Sequence, residues 1–74
     1  MVSEVEVKEA LQCIIANKTA KALNYAVNYA KEGLRQTEES LRVQCLYILE
    51  NMRAWRGEDA KRVRNTLKAF VKQE

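Results

Sequence analysis

Seventy-four residues, 47% of them hydrophobic and 31% charged, with no proline and only two glycines, are too few for two domains, too apolar for a disordered chain and too poor in turn residues for a sheet. The formal net charge of +3 is unevenly spread: residues 1–50 hold six Lys/Arg against seven Asp/Glu, whereas residues 51–74 hold seven against three. No apolar run approaches the ~20 residues that span a bilayer, and the first 30 residues carry no signal-peptide pattern, so a soluble cytoplasmic protein is expected.

The chain reads as helices, and their ends are written in it. At "VSEVEV", Ser3 is placed to accept from the backbone three residues on while Glu6 reaches back to the amide of Ser3. This is a capping box, with Val2 and Val7 where a hydrophobic staple would close. Val7, Leu11, Ile14 and Ile15 then share one face at helical spacing. The next stripe, Leu23, Ala26, Val27 and Ala30, is displaced from the first by roughly a quarter turn on an unbroken wheel. "NKT" is the natural place for that irregularity, because Asn17 and Thr19 both suit a helix terminus.

A second helix is therefore predicted from about Thr19 to Glu32, with Gly33 in the left-handed position that ends helices and Leu34 folding back over the last turn. Thr37 begins the third, with Glu38 and Glu39 at the positive end of its dipole. "LRVQCLYILENMRAW" continues it to about Trp55. Gly57 separates it from the fourth, in which Glu58 and Asp59 lead and Lys68 and Lys72 close. The predicted fold is an all-α bundle of four short helices, about 4–16, 19–32, 38–55 and 58–72, in a single domain, or three if the first two are continuous. Short links make antiparallel neighbours the default. No internal repeat of the length that helical-repeat folds need is present.

Chemistry is scarce. There is no histidine, which removes the usual general base at neutral pH, the Ser-His and Cys-His nucleophile pairs and the commonest metal ligand. Cys13 and Cys45, 32 positions apart, are too few for a zinc site and sit among apolar neighbours, where free thiols behave as small hydrophobes. Neither glycine belongs to a phosphate loop. The expectation is a protein that is not an enzyme, with no cofactor, metal or small-molecule substrate.

Two surfaces have residues left over. The third helix carries Leu41, Cys45, Ile48, Met52 and Trp55 on one face, yet Val43, Leu46, Tyr47 and Ala54 occupy much of the rest. A helix apolar on two sides is central to a bundle or covered by another chain. Packing within the chain is expected for Val43 and Tyr47, and an interface for Leu46, which shares its sector with Arg42, Arg53, Glu39 and Glu50. On the second helix, "NYAVNYA" repeats at an interval of four, so alanines pack, asparagines face solvent and Tyr25 and Tyr29 stand at the border. Packing is the favoured reading of that repeat, with the tyrosines as partner anchors beside it. Val43, Leu46, Tyr47, Tyr25 and Tyr29 together define a candidate protein interface, for a homodimer or another protein.

The second surface is basic. Lys61, Arg64, Asn65, Lys68 and Lys72 share the outer face of the last helix, with Arg53 and Arg56 just upstream. Arg53, Arg56, Lys61, Arg64, Lys68 and Lys72 form a candidate nucleic-acid surface. No helix-turn-helix signature supports it, and the acids at the start of that helix would repel a phosphate backbone. The leading expectation is a non-enzymatic interaction module that self-associates through its second and third helices; nucleic-acid binding through the last helix is the alternative. Trp55 is read as locking the turn before the last helix rather than as a base-stacking ring.

Overall fold

The computed structural model describes residues 2–73, and over that range the chain forms four α-helices: α1 (Glu4–Ala16), α2 (Asn24–Gly33), α3 (Glu38–Asn51) and α4 (Glu58–Lys72), with a 3₁₀ turn over Lys21–Leu23 ahead of α2. Among the described residues there is no strand. Each helix packs on the next, and α4 closes against α1. The Cα radius of gyration is 10.8 Å, close to the ~11 Å of a folded domain of this length.

The capping box of α1 is present: Ser3 Oγ accepts from the Glu6 amide at 3.2 Å while Glu6 Oε1 accepts from the Ser3 amide at 3.2 Å. Val2 is partly buried against the core and Val7 is fully buried, as a staple requires. The chain does break at Asn17. Its backbone N–H donates to the carbonyls of Cys13 and Ile14, and its side-chain amide donates to the Cys13 carbonyl at 2.8 Å. The Lys18 amide then donates to the Ile15 carbonyl at 3.2 Å, so the α-helical ladder gives way to i→i−3 bonds at this point.

Three predicted boundaries require correction. The second helix does not start at Thr19: the 3₁₀ turn intervenes and α2 begins at Asn24. Nor does Gly33 end it in a left-handed conformation, since Gly57 is the described glycine with positive φ. Gly33 instead lies buried inside the last turn of α2, where an added Cβ would stand 2.8 Å from Leu11 Cδ1 and 3.5 Å from Gln44 Cγ. Its purpose is close approach of three helices. The third helix stops at Asn51 rather than Trp55. Met52–Ala54 form a turn, and the Trp55 amide donates to the Met52 carbonyl at 3.0 Å.

Gly57 has φ 113° and caps α4, a conformation that carries little cost only without a Cβ. Thr37 occupies the cap position of α3 without a side-chain bond. The Glu38 amide there is accepted by Glu4 Oε2 at 2.8 Å, which brings the first turns of α1 and α3 together. The Val2 amide donates to Gln73 Oε1, placing the end of α4 beside the start of α1. That alternation is the pattern of an up-down bundle.

The core is the sum of the predicted inner stripes. Val7, Leu11 and Ile14 of α1, Ala26, Val27 and Ala30 of α2, Leu41, Cys45 and Ile48 of α3, and Ala60, Val63, Leu67 and Phe70 of α4 are buried, joined by Leu23, Met52 and Trp55 from the connections. Ile15, Leu34 and Val71 pack against it half-buried. Two alanines on one face of α2, Ala26 and Ala30, remove side-chain bulk, which lets α1 and α3 come close on either side.

Candidate functional site

α3 is held on its inner side by the core and on its flanks by the hydrogen bonds of two polar side chains. Gln44, the buried polar side chain among the described residues, donates from Nε2 to the Tyr29 carbonyl at 3.0 Å and so ties α3 to α2. On the opposite flank Arg64 reaches from α4 to the end of α3. Its Nη2 donates to the carbonyls of Trp55 at 2.9 Å and Met52 at 3.3 Å. A cation placed on carbonyls past the C-terminus of a helix opposes the negative end of the dipole and satisfies acceptors that the helix leaves open.

With α3 fixed in this way, its outer side stays apolar. Six large hydrophobic residues of the described chain are exposed, and five of them belong to α2 and α3: Tyr25 (71% exposed), Tyr47 (53%), Leu46 (48%), Val43 (39%) and Tyr29 (38%); the sixth is Val5. Burial within the chain, expected for Val43 and Tyr47, is thus corrected: the core takes its apolar surface from Leu41, Cys45 and Ile48, and Val43 and Tyr47 stay exposed. The five residues form one tract. Tyr25 and Tyr29 are one helical turn apart, as are Val43 and Tyr47. The rings of Tyr29 and Tyr47 bridge the two helices at 6.0 Å between centroids, tilted by 33°, within the range of paired aromatic rings. The tyrosine borders of α2 and α3 are in contact.

Leu46 stands at the far edge of this tract and also opens on α4. With Leu49 it lines a groove of about 460 Å³, together with Glu50, Arg53, Arg56, Arg64 and Lys68. The six residues of the candidate basic surface therefore separate. Arg53, Arg56, Arg64 and Lys68 line the groove, while Lys61 and Lys72 are exposed elsewhere on α4. Arg64, placed with the outward cations by its spacing, is half-buried and committed to the two carbonyls. Arg62 pairs with Asp59 at 2.9 Å and approaches Cys13 Sγ at 3.7 Å. Arg42, expected on the solvent side, packs its guanidinium 5.9 Å from the centre of the Phe70 ring. The roles of Gln44 and Arg64 are the features that sequence spacing missed.

Both cysteines are free, Cys13 half-buried and Cys45 buried. Burial pushes the Cys45 thiol up to about 12, because the thiolate would lose its hydration. Among the described residues no group of three or more Cys, Asp or Glu is arranged to hold a metal ion, and no helix is long and apolar enough to cross a membrane. No family model matches the chain, and no curated protein or solved structure matches it significantly.

Proposed function

We propose that this protein is a non-enzymatic interaction module that pairs with a second copy of itself through the outer side of α2 and α3. The carrying observation is the concentration of exposed large hydrophobics there: five of six lie on those two helices and adjoin one another. Single exposed apolar residues are ordinary, whereas a contiguous tract marks an interaction surface. Tyrosine supplies much of such a surface, and it contributes buried area at a low entropy cost.

Charge favours a copy of the same chain as the occupant. Between residues 24 and 51 there are three Lys/Arg and four Asp/Glu, so two such faces meet without strong repulsion, in contrast to the basic last third. A two-fold pairing needs one self-complementary patch. A standard interface takes roughly 800 Å² from each partner, about a sixth of the 4934 Å² that the chain exposes.

Molar mass by light scattering tests this. The wild-type chain is expected to run as a dimer that dissociates on dilution, and the Leu46→Glu or Tyr47→Glu variant as a folded monomer. A wild-type monomer at high concentration, or variants that remain dimeric, would refute the assignment.

A further inference from the structure

The groove between α3 and α4 shares Leu46 with the self-association face, so an occupant competes with a second copy for that one residue, but the charged residues that line the groove give it a chemistry of its own. Four cations and one carboxylate line it around two leucines, and the carboxylate of Glu50 already has Arg53 Nη1 at 3.4 Å. The remaining positive charge has no acid in the groove to balance it. We propose that this groove is a docking site for an acidic peptide segment of a partner protein, one that carries an apolar side chain between its carboxylates.

Each part of the occupant follows from a part of the groove. Leu46 and Leu49 form an apolar floor that water covers poorly, and burying one leucine-sized side chain there gains free energy in proportion to the area covered. Arg53, Arg56 and Lys68, all exposed and all lining the groove, are available to meet carboxylates flanking that side chain. Arg64 is already immobilised by the Met52 and Trp55 carbonyls, so it contributes positive potential without a further loss of side-chain freedom. A volume near 460 Å³ accommodates a few side chains rather than a long polymer.

A nucleic-acid strand fits less well. Base stacking needs an exposed aromatic face; no aromatic residue lines the groove, and the nearby Trp55 is buried. Lys61 and Lys72, which would extend a phosphate track, lie outside it. Glu58 and Asp59 at the start of α4 add negative charge at that helix's first turn.

The probe is a fluorescein-labelled twelve-residue peptide of glutamate and leucine at helical spacing, followed by fluorescence anisotropy on the full chain. Saturable binding is expected, and Lys68→Glu or Arg53→Glu should each weaken it about tenfold, the size of one lost charge contact in a partly desolvated site. Both residues are exposed, and the milder Lys68→Gln and Arg53→Gln should weaken it less while leaving the circular dichroism spectrum unchanged. The same peptide with serine for every leucine should bind at least about tenfold more weakly. Equal binding of the serine peptide, indifference to both charge reversals, or a single-stranded oligonucleotide that binds more tightly than the peptide would each overturn the proposal. Lys68 stands outside the α2–α3 face, so an unchanged molar mass in its variants separates this result from that of self-association.

Discussion

α3 and α4 are nearly equal in length, 14 and 15 residues, and they use their apolar residues in opposite ways. In α4, Ala60, Val63, Leu67 and Phe70 are all buried, and the outer positions Lys61, Asn65, Lys68 and Lys72 are polar and exposed. Folding consumes nearly all of its hydrophobic stripe, with Val71 half-buried at the end. In α3, Leu41, Cys45 and Ile48 are buried to the same degree, yet Val43, Leu46 and Tyr47 remain in water. An amphipathic helix is explained by the fold it belongs to, whereas apolar surface in excess of what the fold buries calls for a partner.

That contrast makes graded predictions. The largest effect belongs to the inner side of α3: Ile48→Ala should lower the unfolding free energy by about 3 kcal/mol through a cavity in a fully buried site, measured by urea denaturation. Arg64→Ala comes next, at about 1–2 kcal/mol, because two main-chain carbonyls lose a charged donor; Lys68→Ala, one turn away on the same helix, should change stability by less than about 0.5 kcal/mol. Gly33→Ala should destabilise by about 1 kcal/mol, since crowding against the buried Leu11 outweighs the gain in helix propensity. A stabilised Gly33→Ala variant would show that Leu11 can move aside. On the outer side of α3, Tyr47→Ser should cost the isolated monomer about 0.5 kcal/mol through its half-exposed ring contact with Tyr29, and its larger effect should appear in association.

The smallest effect in the ordinary pH range comes from Cys45. Burial pushes its folded pKa up to about 12, above the ordinary thiol value of 9.0. Between those values the unfolded chain has lost the proton and the folded chain keeps it, so stability should fall as pH rises from about 9 toward 12 and should not change on this account below about 9. Urea titrations of wild type and Cys45→Ala across that window measure it. In native protein a thiol reagent should modify Cys13 ahead of Cys45, since the half-buried thiol is the accessible one.

Much of the bundle was legible in the residues. Ser3 and Glu6 announce the start of α1, Asn17 the break, and Gly57 the entry to α4, because each is a local device whose chemistry is complete within a few positions. What the sequence hid depends on contacts across the fold. A glycine that ends a helix and a glycine that lets three helices approach look alike in a string of letters, and Gly33 is the second kind. Arg64 and Arg42 occupy positions that a wheel assigns to solvent, but long side chains curl back, one onto carbonyls and the other onto an aromatic ring. For the surface, spacing identified Val43, Leu46, Tyr47, Tyr25 and Tyr29 as apolar residues off the main stripe. It could not say which neighbour would cover them, since that depends on how far α2 and α3 splay. Nor could it separate the six cations, of which four face one groove.

The most direct test of the central claim is an isotope-filtered NMR experiment on an equal mixture of labelled and unlabelled chains. The account predicts nuclear Overhauser contacts between copies that involve the Val43 methyls and the Tyr29 and Tyr47 rings, and their disappearance in Leu46→Glu. Absence of any contact between copies at millimolar concentration, or contacts confined to α1 and α4, would contradict it.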